Sequence, residues 1–295
     1  MLITWETPVK IRFMEGYGTL FVVATPIGNL EDMTLRAIRV LKEVDLIAAE
    51  DTRHTRKLLN HYNIATRLTS YFEHNKAKKG DYVIKALLDG KDVALVSDDG
   101  TPGISDPGYN LIKTAIDFII KVVPLPGPSA VIAALSVSGL STESFAFEGF
   151  LPHKEKARKD KLESLKREGR TLIFYESPQR LISTLHAIHD IIGDRNCFIA
   201  RELTKLHEES LRGKVSDILA TIKEQTVKGE IVIIIEGFHG GPFKGSIGDE
   251  LDSAVKSGLS VKEAVEAVAR GLGVSKGEVY KEGLKLKRME QPEDK

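Results

Sequence analysis

The sequence predicts an α/β protein with two α/β domains and a small helical unit behind them. Three observations carry this. Six short runs rich in β-branched or aromatic residues recur along the chain, stretches with a helical period separate them, and the composition shifts sharply twice. A chain of 295 residues is also long for a single core and comfortable for two.

In chain order, MLITWETPVKIRFMEGYG lacks the basic start, apolar middle and small-residue cleavage site of a signal peptide, and residues 1–18 are expected to be an extension. LFVVAT (20–25) is the first strand. In TLRAIRVLKEVD the apolar Leu35, Ile38, Leu41 and Val44 recur at three-residue steps, with Asp32 and Thr34 near the expected N-cap, which predicts a helix. DVALVS (92–97) and KVVPL (121–125) continue the first domain, assigned to 19–128. A boundary falls between Pro124 and Pro152, where the chain turns into the charged HKEKARKDKLESLKREGR. TLIFYE (171–176), CFIARE (197–202) and EIVIIIE (230–236) belong to a second domain, 129–240. Near-continuous apolar runs of this kind mark strands buried on both faces, as in parallel sheets covered by helices.

GFHGGPFKGS (237–246) has the glycine content of a linker. In the last unit, 241–295, Ser260 with Glu263 and Ser275 with Glu278 match the Ser-x-x-Glu capping box, each opening a short amphipathic helix, with Gly271 and Gly273 between them. Two helices joined in this way fit a packing hairpin or a helix-turn-helix.

Apolar runs such as Ile231 to Ile235 are far short of a membrane span, and with no signal peptide this predicts a cytoplasmic protein. Cys197 is the single cysteine; in NCFIARE it sits on a strand as a buried inert thiol. No C-x-x-C, H-E-x-x-H or His/Cys cluster points to a metal. Formal net charge is zero, so a nucleic-acid partner has to be met by local patches. Three exist: Asp51–Lys79 holds seven Lys/Arg against two acids, His153–Arg170 eight against four, and Arg270–Arg288 six against two.

Glycine/proline loops follow the first-domain strands: ATPIGNLEDMT, SDDGTPGISDPG and PLPGPSAVIAA. Loops at the C-ends of parallel strands converge on one edge and together line one crevice. No G-x-x-x-x-G-K-[ST] is present, and the G-x-G at Gly16–Gly18 precedes its strand, so no triphosphate cradle is expected. These walls suit an uncharged aromatic ring and an amino-acid-like tail.

At VVATPIGNLEDMTLRAIRVLKEVDLIAAEDTRHT, SYFEHN, ALVSDDGTPGISDPG, VVPLPGPSAVIAALSVSGL, FEGFLPHK, TLIFYESPQRL, ARELTKLHEE and KGEIVIIIEG the chain resembles the ribosomal RNA small subunit methyltransferase I family. These are the rRNA (cytidine-2'-O-) methyltransferases of the tetrapyrrole-methylase-like fold, the class III S-adenosylmethionine methyltransferases. The tail VKEAVEAVARGLGVSKGEVYKEGLKLK resembles the family's helical unit. The resemblance implies S-adenosylmethionine (S-adenosyl-L-methionine) folded between two domains, and as substrate a cytidine ribose in the decoding region of small-subunit (16S) rRNA. It also implies a homodimer. By position it assigns cofactor contacts to Pro26, Gly100, Thr101, Gly103, Ile104, Ser129 and Ala130, with Glu176 and Ser177 from the second domain. Two departures stand out: Asp99 replaces the family's usual alanine, and MLITWETPVKIRF precedes the usual start, which makes Met14 an alternative initiator.

Methyl transfer to a 2'-oxygen asks for alignment and for a base or cation that manages the hydroxyl proton. Candidates are Glu50, Asp51, Arg53 and His54; Asp98 and Asp106; and Arg201, Glu202 and Lys205. Asp51, Arg53, Lys205 and Glu202 are taken as the catalytic set. Arg53, Arg56, Lys57, Lys154, Lys156 and Arg158 are expected to carry RNA phosphates. Structural readings stay open beside these: an Asp51–Arg53 ion pair, Asp106 as a turn residue before Pro107, and a Glu202–Lys205 surface pair. A same-fold enzyme acting on a small molecule such as a tetrapyrrole, and a non-enzymatic RNA-binding factor, are the competing functions.

Overall fold

The computed structural model describes residues 14, 16–71, 76–222, 228–239, 247–256, 259–272 and 274–289. The expectations for residues 1–13, for Gly273 and for most of the 237–246 linker fall outside these. The first half comprises β1 (Thr19–Val23), α1 (Leu35–Glu43), β2 (Leu46–Ala49), α2 (Thr52–His61), β3 (Leu68–Ser70), α3 (Lys76–Leu88), β4 (Val93–Val96), α4 (Tyr109–Asp117) and β5 (Lys121–Leu125). Its five strands form a sheet in the order β3-β2-β4-β1-β5, parallel throughout. Alternation along β2 and β4 feeds two cores: Leu46, Ala48, Val93 and Leu95 on one face, Ile47, Ala49, Ala94 and Val96 on the other. Burial on both faces explains the uninterrupted apolar character of these strands.

The second half comprises α5 (Ala130–Ser138), β6 (Phe145–Phe150), α6 (Glu155–Leu165), β7 (Thr171–Glu176), α7 (Leu181–Ile191), β8 (Asn196–Arg201), β9 (Glu209–Lys214), α8 (Val215–Ile222) and β10 (Ile231–Ile235). The sheet order is β6-β7-β10-β8-β9. Here the parallel expectation fails: only β6 and β7 run parallel, and β7–β10, β10–β8 and β8–β9 are antiparallel. What the apolar runs reported was two-sided burial, not direction. Along β10, Ile231, Ile233 and Ile235 enter one core while Val232 and Ile234 enter the other, beneath Val131, Ala134 and Leu135 of α5. Cys197 is buried in the former core, which pushes its thiol pKa up and leaves it unreactive.

All six expected strands are present; of the four not expected, β2 and β3 are short, β9 is polar, and in β6 a Glu-Gly pair interrupts the apolar run. β3 has three residues, and the edge strand β9, ESLRGK, alternates half-buried and exposed. In α1, Thr34 caps the Ala37 amide as expected, but the buried stripe is Ala37, Val40, Leu41 and Val44, with Leu35 86% exposed. Successive three-residue steps drift around a helix of 3.6 residues per turn, so Leu35 and Val44 do not share a face.

The helices α9 (Ile247–Lys256), α10 (Val261–Leu272) and α11 (Lys276–Met289) bury Leu251, Ala264, Val265, Val268, Ala269 and Val279 among themselves. Both capping boxes form: the Ser260 hydroxyl donates to Glu263 at 2.6 Å and Ser275 to Glu278 at 2.9 Å, with the reciprocal amide bonds. α10 and α11 therefore pack as a hairpin against α9, which is the packing reading of that pair. Arg167 on the second half makes a bidentate ion pair with Glu250 of α9.

Candidate active site

The connections leaving β1, β2, β4 and β5 gather at the C-terminal edge of the first sheet, and they are laced to one another. Thr25 and Gly100 exchange two backbone hydrogen bonds, the Thr25 N–H donating at 2.8 Å and the Gly100 N–H at 3.1 Å. The Thr25 hydroxyl donates to the Ser97 carbonyl at 3.2 Å, and the Thr101 hydroxyl to the Pro128 carbonyl at 3.3 Å. Gly100 has φ +79°, and a Cβ there would point between Ile27 and Pro128. Glycine is thus required by conformation at the centre of the lacing.

The second sheet closes a cavity of about 380 Å³ against this edge. Phe150 ends β6, Tyr175 and Glu176 end β7 with Ser177 just beyond, Ala200 lies near the end of β8 with Leu203 after it, and Gly229 and Glu230 lead into Ile231 and Val232 at the start of β10. Because β10 is antiparallel to β7 and β8, its start lies where they finish. The halves also touch directly: the Asn29 amide donates to the Thr204 hydroxyl at 3.0 Å, and a Cβ on Gly28 would sit 2.4 Å from Lys205 Cγ. Glycine at 28 allows that close approach. Ser105, Glu202 and Thr204 carry left-handed φ values of 64°, 51° and 65° around the cavity, a conformation non-glycine residues adopt at a cost.

Of the cofactor contacts expected from sequence, Gly100, Thr101, Ile104, Ser129, Ala130, Glu176 and Ser177 line the cavity. Pro26 is buried behind Ile27, which does line it, and Gly103 lies one residue behind Ile104. Glu176 is buried, with one carboxylate oxygen accepting from the Thr184 hydroxyl at 2.6 Å and the other from the Ser177 amide at 2.8 Å. Arg180 approaches the second oxygen at 3.4 Å.

None of the four expected catalytic residues is on the wall. Asp51 is the N-cap of α2 and binds Arg53 through its amide at 2.8 Å and through its guanidinium at 2.8 Å. The Arg53 side chain is 90% exposed. Hydrogen bonds from that guanidinium hold the Asp51 carboxyl well below the usual carboxylate range. Lys205 bridges Glu202 at 3.1 Å and Glu230 at 3.2 Å; burial opposes its charge, but these partners outweigh burial and keep it an ammonium. Arg56, Lys57, Lys154 and Lys156 are exposed and Arg158 is half-buried. Their neighbours supply the wall: Glu50 beside Asp51, Leu203 beside Glu202, and Glu230. Gly229–Val232 fall outside the expected site because a reading confined to strand C-ends does not reach the start of an antiparallel strand, while Phe150 and Tyr175 lie at strand C-ends of the second half, outside the glycine/proline loops that follow the first-domain strands.

Carboxylates crowd the cavity. Glu50, Asp98, Asp99 and Asp106 line it together with Glu176 and Glu230. Burial, then repulsion by Asp98, raises Glu50; burial, then Glu230, raises Asp99, against His54 and Lys205. Asp106 is pushed up to about 7, by burial first and by the charge of Glu50 second. Tyr175 rises to about 12 through burial and the charge of Asp106.

A family model described as Tetrapyrrole (Corrin/Porphyrin) Methylases matches residues 19–219. The chain is 50% identical over 283 residues to the ribosomal RNA small subunit methyltransferase I of Halalkalibacterium halodurans, covering 93% of this chain and 98% of that one. It is 52% identical over 220 residues to the protein of the same name from Thermotoga maritima, covering 75% and 99%. Bacillus subtilis has another at 45% over 271 residues, covering 89% and 93%. Among solved structures, a diphthine synthase superposes with TM-score 0.60 at 12% identity, covering 74% of this chain and 90% of that one. The uroporphyrin-III C-methyltransferase of Thermus thermophilus complexed with S-adenosylhomocysteine superposes with TM-score 0.54 at 16% identity, covering 74% and 97%. At these identities the likeness is one of fold.

A folded pKa of about 7 for Asp106, above its ordinary 3.8, makes the folded protein bind the extra proton between those values. That contribution to stability is complete in acid and is lost as pH rises through about 7. Asp106→Asn, which stays neutral, is expected to unfold at the same temperature as the parent below about pH 4 and at an increasingly higher one as pH rises from there to 8, read by calorimetric melting across pH. A difference constant with pH would contradict the raised value.

Proposed function

Because the chain belongs to the ribosomal RNA small subunit methyltransferase I family of tetrapyrrole methylases, we propose that it methylates the ribose 2'-oxygen of a cytidine in the decoding region of 16S rRNA, with S-adenosylmethionine as donor. The supporting observation is the cavity between the two sheets, which sets apolar walls from Ile27, Ile104, Ala130 and Leu203 beside a concentration of carboxylates. That combination fits a ligand with a flat apolar ring at one end and net positive charge at the other. When bound, S-adenosylmethionine supplies an electrophilic methyl group on a sulfonium that departs as a neutral sulfide, so the reaction asks for no leaving-group acid.

The residues divide the remaining work. Backbone and small side chains at Gly100, Thr101, Ile104, Ser129 and Ala130 hold the donor, with Pro26 and Gly103 shaping the loops behind them. Glu176, fixed by Thr184 and Ser177, contributes a buried acceptor. Asp106 takes the 2'-hydroxyl proton: a carboxylate titrating near 7 is both ionised and basic at neutral pH. Asp51, its basicity lowered by Arg53, positions the start of α2 beside Glu50, and Lys205 with Glu202 pins the second half against the first loop. Arg53, Arg56, Lys57, Lys154, Lys156 and Arg158 supply phosphate contacts. The division at residue 128, a homodimer that joins basic patches from two chains, and a cytoplasmic location alongside ribosomal subunits complete the reading. No helix among the described residues is long and apolar enough to cross a membrane.

Incubation with small subunits lacking the modification, followed by mass-spectrometric mapping, is expected to show a single 2'-O-methylated cytidine, with binding that weakens steeply as salt rises. Methylation of a tetrapyrrole but not of RNA would overturn the reading. Asp99→Ala, which restores the family's usual residue, is expected to bind S-adenosylmethionine as tightly as the parent or more tightly by calorimetry. A tenfold loss would mean that this carboxylate holds the cofactor.

A further inference from the structure

A second concavity, of about 430 Å³, opens beside the first and has the opposite charge. Arg56 comes from α2, Arg67 from the residue before β3, and Lys79 from α3; Thr52, Thr69 and Tyr82 complete most of its lining. No carboxylate lines it, and among the described residues none of the three cations makes an ion pair. In the same half, Arg39 pairs with Glu43 and Lys85 with Asp89. Lys79 Nζ lies 5.8 Å from the Tyr82 ring centroid, an aromatic contact that keeps the ammonium at the wall without neutralising it.

Position ties this basic hollow to the chemistry. Ala49 of β2 pairs in register with Ser70 of β3, so the ends of these strands are one strand spacing apart, about 4.8 Å. Glu50, on the wall of the acidic cavity, follows Ala49; Thr52, on the wall of the basic one, comes two residues later, within about 7 Å of extended chain. A strand that delivers one nucleotide to the acidic cavity has to carry its neighbouring phosphates across this rim, where cations and hydroxyls face them.

We propose that the hollow formed by Arg56, Arg67, Lys79, Thr52 and Thr69 is a phosphate subsite for the RNA strand next to the methylated nucleotide. The proposal rests on the rRNA reading above and adds which surface aligns the strand. It also accounts for why the acidic cavity does not repel its polyanionic substrate: the cations of the adjoining hollow meet the backbone first.

The test compares the parent with Arg67→Gln, Lys79→Gln and the double variant, using 16S decoding-region RNA and small subunits lacking the modification. The double variant is expected to bind RNA at least tenfold more weakly at physiological salt. Its log–log salt slope should become shallower by about 0.7 for each phosphate that the protein no longer neutralises. S-adenosylmethionine binding by calorimetry should not change, which also reports that the fold is intact, and Arg67→Lys with Lys79→Arg should restore most of the RNA affinity. Parental RNA affinity and slope in the double variant, while the parent methylates subunits, would overturn the subsite and leave the rRNA reading standing. Failure of the parent itself to methylate subunits would instead strike that reading. Saturable binding of inorganic phosphate that the variants abolish, with RNA affinity untouched, would reassign the hollow to a small anion and overturn the proposal.

Discussion

The reciprocal pair of hydrogen bonds between Thr25 and Gly100 is the interaction on which the site depends. Connections that leave a parallel sheet have no ladder of their own, and without cross-links they would sample many conformations at an entropic cost on binding. The two bonds convert the loops after β1 and β4 into a short antiparallel bridge, and Thr101 extends the tie to the loop after β5 through the Pro128 carbonyl. One wall is thereby built before any ligand arrives. The other wall is a sheet edge, rigid by construction.

Electrostatics sets the second constraint. Six carboxylates around one cavity are tolerable only if some share protons or meet a cation, since like charges in a partly desolvated site cannot all ionise at ordinary pH. The raised Asp106 and Glu50 show the first solution, and the Lys205 ammonium between Glu202 and Glu230 shows the second. A ligand with net positive charge adds to it. The arrangement costs stability in the free protein and stores selectivity for cations, while RNA is met by basic residues placed outside the cavity.

The loops of the first wall were legible because glycine and proline announce them: Gly100 needs its left-handed φ and Gly28 its close approach to Lys205, and neither demand tolerates many substitutes. The six main strands were legible from their apolar runs, but their direction was not, because two-sided burial produces the same pattern in parallel and antiparallel sheets. From that ambiguity follows the omission of Gly229 to Val232 from the expected site. The expected catalytic residues Asp51 and Glu202 stand one position away from the cavity-lining Glu50 and Leu203 for a related reason. AEDTRHT offers Glu50 and Asp51 side by side, and only the start of α2 decides that Asp51 turns to cap the helix while Glu50 faces the cavity. Asp106 stood among the candidates through its glycine/proline loop, but nothing local ranked it above the others, since its raised pKa comes from burial and from Glu50, more than fifty positions away in sequence.

Hydrogen-exchange mass spectrometry with and without saturating S-adenosylmethionine tests most directly whether the laced cavity is the donor site. Protection is expected in the peptides spanning 25–28, 98–106, 127–131, 175–178 and 229–232, with none in the basic hollow at 67–70 and 79–82. Unchanged exchange in the 98–106 and 229–232 segments at saturation, or protection confined to other surfaces, would contradict the account.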